Sequence, residues 1–168
     1  MTDNLLWSSD PARRSVHPRD AAALVGTELF VTDWRRVDRE HLDGFHWSVD
    51  EVDTASDTTA NDLFPRADEN VDGFMLLSLV TSGFFNNYPV GGDGIVAWNY
   101  GVEGVRFPAT VYLENEFRMR VRLDSVERKP VGWLLRNGIT LEMRDSERPA
   151  MVGTFLVMLT SSEEKSRD

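Results

Sequence analysis

Hydrophobic positions change from a helical spacing in the first half of the chain to strand-like alternation in the second. The longest apolar helix is predicted over Gly73–Phe85, where apolar side chains cover nearly the whole circumference, as is typical of a buried helix. Asp72 is placed to cap its first turn, and Asn86–Pro89 is expected to end it. A shorter amphipathic helix is predicted from Asp38, as its N-cap, to about Trp47.

The rest of the chain is strand-like. Phe117–Leu123 alternates apolar and basic residues, so one of its faces is expected to be buried and the other wet. The other predicted strands are Thr27–Thr32, Ile95–Tyr100, Trp133–Arg144 and Met151–Thr160. The segments that connect the last three of these strands are short and polar, which favours antiparallel hairpins. The pattern predicts one α+β domain over residues 27–160, with an antiparallel sheet wrapped around one buried central helix.

Segments on either side of this domain lack its periodicity. Residues 1–26 are expected to form an N-terminal arm, either loose or docked, and residues 161–168 a polar C-terminal tail. No apolar run approaches the ~18 residues of a membrane span, and no signal peptide is visible, so a cytoplasmic location is expected.

Composition narrows the possible chemistry. The chain has 168 residues, of which 41% are hydrophobic and 27% charged, as in ordinary globular proteins. With no cysteine it has no disulfide, thiolate metal site or cysteine nucleophile. Three histidines make a histidine-rich metal site unexpected. We therefore expect neither a metal nor another cofactor.

Negative charge is concentrated in one segment. The formal net charge is -10, which argues against nonspecific nucleic-acid binding. The 25 residues of Ser48–Asp72 contain 8 acidic side chains and one basic side chain, Arg66. Such a block is usually a solvated loop, and its carboxylates are also candidates for a site.

Three stretches of the sequence resemble a known family. They are Val31–Phe45, Asp72–Leu79 and Trp98–Ala109. The third is the most specific, because it contains an Asn-Tyr-Gly followed by an Arg-Phe-Pro. Together they resemble the MaoC-like acyl dehydratases and (R)-specific enoyl-CoA hydratases, in particular the branch with nodulation-protein-N-like members. The resemblance covers about residues 27–160.

The resemblance implies a hot-dog fold and a homodimer that adds or removes water across the α,β bond of an acyl thioester. The partner it implies is an acyl group carried on coenzyme A or an acyl carrier protein. Members of the family use an Asp and a His five residues later as base and acid. Here the Asp falls near Glu51, or Asp50 if the frame slides, and the His near Ser56. No histidine follows His46, so the usual pair is absent.

Candidate catalytic residues are therefore Glu51, Asp50, Ser56 and Asp72, the last standing where the family usually has a histidine. Asp57 and Asp62 are further carboxylates whose placement the sequence leaves open. The resemblance also implies an oxyanion donor at the start of the central helix, where the helix dipole favours negative charge. That donor is the Gly73 amide, unless the glycine only permits a tight entry into the helix.

Candidate substrate-binding residues come from the third stretch. Asn99 and Tyr100 are expected to line an acyl pocket or simply to pack, and Arg106 belongs to the Arg-Phe-Pro signature. His46 is either a surface or capping residue or a catalytic group. Asn137 interrupts an apolar face, as a satisfied buried amide or as a contact at a dimer interface.

A basic stripe adds one more alternative. Arg118, Arg120 and Arg122 are placed either to attract the phosphates of coenzyme A or an acidic carrier, or to keep an outward strand face soluble.

The sequence leaves three functions open. The first is an acyl-thioester hydratase or dehydratase that uses a carboxylate of the acidic block. The second is a catalytically lapsed hot-dog protein that binds acyl groups or supports a partner subunit. The third is a hot-dog thioesterase.

Overall fold

Five antiparallel strands form the main sheet of the protein, and one long helix packs on one of its faces. The computed structural model describes residues 15–49 and 69–161. The elements in chain order are a 3-10 helix (Pro18–Leu24), β1 (Glu28–Val31), α1 (Arg39–Ser48), β2 (Asn70–Val71), α2 (Gly73–Asn87), β3 (Ile95–Arg106), β4 (Val111–Tyr112), β5 (Phe117–Lys129), β6 (Gly132–Met143) and β7 (Met151–Ser161). The sheet has the order β1-β5-β6-β7-β3, and β2 pairs separately with β4.

The central helix α2 supplies the core, as its apolar pattern predicts. Met75, Leu76, Val80 and Phe84 are each at most 3% exposed. The first turn differs from the prediction of burial all round, because Phe74 is 71% exposed. Burial against the sheet thus holds α2 in place, and one large apolar side chain at its start is left open to solvent.

Strand β5 confirms the alternation predicted for it. Phe117, Met119, Val121 and Leu123 are fully buried and face the core. The arginines between them lie on the opposite face, because successive side chains of a strand point to opposite sides of the sheet.

Strand β3 is a long edge strand with little cover. Among the strands of residues 15–49 and 69–161 it pairs only with β7, and most of its residues are exposed. The pairing register shifts between Asn99 and Gly101 and again between Glu103 and Arg106. These bulges break the period of two, which is why the sequence predicted a strand that ends at Tyr100.

Residues that precede β1 pack on the domain. Ala21 of the 3-10 helix is fully buried, and Val16 forms a parallel bridge with Val90. In α1, Leu42 is fully buried and the Asp38 side chain accepts a hydrogen bond from the His41 amide at 2.9 Å, so Asp38 is the predicted N-cap. Over residues 15–49 and 69–161, no helix is long and apolar enough to cross a membrane.

Candidate functional site

A groove of about 370 Å³ lies between the first turns of α2 and strand β3. It is lined by Phe74, Leu77, Ser78, Thr81, Asn99, Tyr100, Gly101, Val102 and Phe155. Most of the lining surface is apolar, and the polar groups are three hydroxyls and one amide. A mostly apolar concavity with a few polar groups is the usual form of a small-molecule site.

Asn99 and Tyr100 enter this groove together because of the bulge in β3. Asn99 is opposite Val157 and Gly101 is opposite Leu156, so one residue of β3 has no counterpart in β7. The structure therefore brings both predicted residues beside the helix, with Tyr100 60% exposed. Arg106 lies at the far end of β3, is exposed, and does not line the groove.

Asp72 caps α2, as predicted. Its Oδ1 accepts a hydrogen bond from the Phe74 amide at 2.6 Å. A carboxylate there satisfies one of the free amides of the first turn and complements the helix dipole. The same charge opposes any second negative charge at this end of the helix.

Gly73 is in close contact with Phe107. A Cβ atom at Gly73 would lie 2.8 Å from Cδ2 of the Phe107 ring, closer than real contacts allow. Phe107 also approaches Phe74, with ring centroids 6.4 Å apart. Close packing against Phe107 therefore explains why a glycine stands at this position. The role of its amide as an oxyanion donor stays a prediction.

Sequence reasoning missed the part played by Phe107. The residue stands inside the Arg-Phe-Pro signature, which was the available signal, but its partner Gly73 is distant in sequence. Only the fold brings the end of β3 to the start of α2.

Glu51, Asp50 and Ser56 lie outside the described residues, as do Asp57 and Asp62. Their predicted roles stay predictions. Among the described residues that line the groove, none is an imidazole or a carboxylate.

The three histidines occupy other places. His17 Nδ1 accepts hydrogen bonds from Arg19 at the start of the 3-10 helix. His41 Nδ1 is 2.7 Å from Asp38 Oδ1, and the hydrogen bond from the His41 amide lowers the pKa of that carboxyl. His46 lies in the last turn of α1, its ring 6.3 Å from that of Phe45.

The basic stripe of β5 is paired with acidic groups on the outer face of the sheet. Arg118 Nε and Arg120 Nε lie 2.7 Å and 2.8 Å from the two carboxylate oxygens of Glu142. The hydrogen bond from Arg120, followed by that from Arg118, lowers the pKa of Glu142. Arg120 also pairs with Glu28.

Arg122 completes this arrangement, with Nη2 2.8 Å from Oδ1 of Asp124. The stripe is thus a set of ion pairs on an outward strand face, and none of its arginines lines the groove at α2. The ion pairs agree with a charged outer face, and because Arg120 and Arg122 line a depression of about 460 Å³ there, the attraction of phosphates stays a prediction.

Asn137 is a satisfied buried amide. It is fully buried, and its Oδ1 accepts a hydrogen bond from the Tyr88 hydroxyl at 3.0 Å. Its Nδ2 donates to the carbonyl oxygens of Phe155 at 3.2 Å and Leu135 at 3.4 Å. Burial raises the pKa of Tyr88, so this phenol stays protonated and donates.

The described ranges, 15–49 and 69–161, contain no group of three His, Cys, Asp or Glu side chains that could hold a metal ion.

The chain is similar in sequence to one curated protein and in structure to several solved proteins. No protein-family model matches it. Nodulation protein N of Rhizobium leguminosarum bv. viciae is 25% identical to it over 149 residues, which cover 83% of this chain and 89% of that protein.

Solved structures show the same fold. The monoamine oxidase regulatory protein of Archaeoglobus fulgidus matches with a TM-score of 0.70 and 10% identity, over 89% of this chain and 98% of that chain. A MaoC-like dehydratase from Rhodospirillum rubrum matches with a TM-score of 0.61 and 13% identity, over 81% of this chain and 92% of that chain. The chain is thus a hot-dog protein, and its predicted resemblance to the MaoC-like family is confirmed.

Proposed function

We propose that this chain is a cytoplasmic homodimer that binds the acyl group of a coenzyme A or acyl-carrier-protein thioester and hydrates or dehydrates it. The observation that carries the proposal is the groove, because it runs along the first turns of the central helix of a hot-dog fold. An acyl chain is apolar, and the groove offers it Leu77, Val102 and Phe155.

The helix start serves the carbonyl end of the substrate. Gly73 is the first residue of α2, and Phe74, the next residue, already lines the groove. A thioester carbonyl held there is polarised by the free amides and dipole of the helix. Asn99 supplies an amide within the same groove to orient the thioester.

The acidic block supplies the base. In hydration, a carboxylate takes a proton from water as the water oxygen bonds to the β carbon, the α,β π bond breaks, and the α carbon takes up the proton that the carboxyl returns. Glu51 is the preferred base, with Asp50 as the alternative and Ser56 at the position of the usual histidine. General base catalysis by one such group contributes typically ~10²–10⁴-fold to a rate.

One assay separates this proposal from its alternatives. Hydration of crotonyl-CoA and of longer enoyl thioesters is followed in parallel with thioester hydrolysis, for wild type and Glu51→Gln. We expect hydration by the wild type and a loss of about 10²-fold or more in Glu51→Gln. Glu147→Gln, in an exposed turn, is the matched control and should keep the wild-type rate.

A lapsed protein is the second candidate, and the Asp72 carboxylate favours it. A fixed negative charge at the helix start works against an enolate oxygen at the same place. Thioester binding without turnover would support this candidate and contradict the hydratase. Hydrolysis without hydration would support the thioesterase.

The homodimer is proposed through β3. A long edge strand with exposed apolar side chains pairs with other chains unless it is covered. Val96, Trp98 and Val102 are 44%, 52% and 44% exposed along β3, whereas the opposite edge strand, β1, has only four residues. A second copy that adds its own β3 antiparallel to this one covers them.

Light scattering after size exclusion tests this assembly. We expect a dimer for wild type and a shift toward monomer for Val96→Lys, since a lysine on an edge strand disfavours pairing. Val131→Lys, a change at a valine 62% exposed in the β5–β6 turn, is the matched control. A wild type that is monomeric at high micromolar concentration would contradict the proposal.

A further inference from the structure

A small void, partly open to solvent, lies next to the groove between α2 and the sheet. Its volume is about 10 Å³, no more than the space of one water molecule. Between the groove and the void stands a wall of three side chains that line both, Leu77, Val102 and Phe155. The rest of the void's lining comes from the buried Val80, Ile139 and Met151 and from the half-buried Val105, Gly153 and Thr154 of β3 and β7.

Phe155 is the most firmly held part of this wall. It is 6% exposed, and its ring packs edge-on against Phe84 with centroids 4.9 Å apart. Its carbonyl oxygen accepts the hydrogen bond from Asn137 Nδ2, which fixes the backbone of β7 at this residue. Val102, opposite it in the β3–β7 pairing, is 44% exposed.

The groove itself is small. Its 370 Å³ is near the lower end of the ~300–1,000 Å³ usual for small-molecule sites, and it opens along β3, the strand on which the second copy is proposed to pair. A long acyl chain can leave the groove along β3, where its added methylene groups gain no buried surface in this chain, or press against the wall, behind which there is room for no more than one water molecule.

We propose that Phe155 is a specificity-determining residue that closes the inner end of the groove and restricts the acyl group to a short chain. This inference rests on the proposed function, since it names the substrate class of the same groove. Truncation of the ring joins the void to the groove and lengthens the space open to an acyl chain.

The test measures binding alone, by titration calorimetry with saturated butyryl-CoA and dodecanoyl-CoA. We expect wild type to bind dodecanoyl-CoA no more tightly than butyryl-CoA, because the added methylene groups are not buried. In Phe155→Leu and Phe155→Ala the affinity ratio should move toward dodecanoyl-CoA by about tenfold, the scale on which pockets discriminate added methylene groups.

Val102→Ala opens the same wall from β3, and light scattering checks that it keeps the assembly of the wild type, because Val102 also lies in the proposed dimer contact. It should move the ratio in the same direction, and Phe155→Leu, the smaller truncation, decides the role of Phe155 if Phe155→Ala does not fold. Phe117→Leu, which shortens another fully buried phenylalanine on β5, is the matched control and should leave the ratio unchanged.

The outcomes separate this inference from the function on which it rests. If wild type binds no acyl-CoA of either length, the proposed function fails, and the inference fails with it. If wild type binds acyl-CoA but folded Phe155→Leu and Val102→Ala keep its affinity ratio, Phe155 does not set chain length, and the proposed function stands. A wild type that prefers dodecanoyl-CoA also overturns the inference.

Discussion

At the scale of single residues, the start of α2 combines a glycine that cannot be enlarged with an aspartate in place of a histidine. Gly73 lies under the Phe107 ring and Asp72 caps the helix. The first feature concerns packing and the second concerns charge. Substitutions that change one without the other distinguish their contributions.

Gly73→Ala should destabilise the protein by about 1–3 kcal/mol, because the new methyl overlaps the Phe107 ring. Urea unfolding of Gly73→Ala, Phe107→Ala and the double variant forms a cycle that isolates the contact. In the Phe107→Ala background the cost of the alanine should largely disappear. An equal cost in both backgrounds would show that the overlap is not its cause.

Asp72→Asn should leave stability within about 0.5 kcal/mol, since asparagine caps a helix as well as aspartate. If the chain hydrates enoyl thioesters, the loss of charge should raise kcat/KM, because the helix start then opposes an enolate less. Steady-state hydration of crotonyl-CoA measures this effect. A fall as large as that in Glu51→Gln would instead assign Asp72 to the proton transfers.

At the scale of elements, the strands differ in what their sequence reveals. The alternation of β5 is regular, so its buried face could be predicted. The acidic partners of its arginines could not be predicted, because Glu142 and Glu28 become neighbours of these arginines only through the cross-strand register. The length of β3 was underestimated because its bulges break the period of two.

The ion pairs of β5 predict a pH dependence of stability. Hydrogen bonds from Arg120 and then Arg118 lower the pKa of Glu142, so its ionised form stabilises the folded state at pH values above its ordinary pKa near 4.5. This stabilisation is lost as the pH falls through the lowered pKa. Because the Glu142 side chain is 29% exposed, its size is about 1 kcal/mol or less.

Glu142→Gln should therefore destabilise the protein at pH 7 and have little effect near pH 3. Thermal unfolding of wild type and Glu142→Gln at pH 7 and at pH 3 measures the change in stability at each pH. Glu147→Gln, in an exposed turn, is the control. A Glu142→Gln penalty that is the same at both pH values would contradict the assigned ion pairs.

At the scale of the whole molecule, the fold could be predicted well and the site only in part. A continuous apolar helix capped by Asp72 and followed by alternating strands has few packed solutions, so α2 and the sheet followed from the pattern. The groove depended on contacts between β3, β7 and α2, which are distant in sequence. The carboxylates of the acidic block lie outside the described residues.

Binding of an acyl thioester in this groove can be tested by a single titration. Butyryl-CoA and free coenzyme A are titrated into wild type, Ser78→Trp and Ser82→Trp. Ser78 lines the groove, whereas Ser82, one turn further along α2, is exposed and does not line it. The two variants thus place the same bulk inside and outside the site.

We predict that wild type and Ser82→Trp bind butyryl-CoA about tenfold or more tightly than free coenzyme A, through burial of the acyl chain. Ser78→Trp should lose that preference, because the indole fills the groove. Equal affinity of wild type for butyryl-CoA and free coenzyme A, or an undiminished preference in Ser78→Trp, would contradict the account.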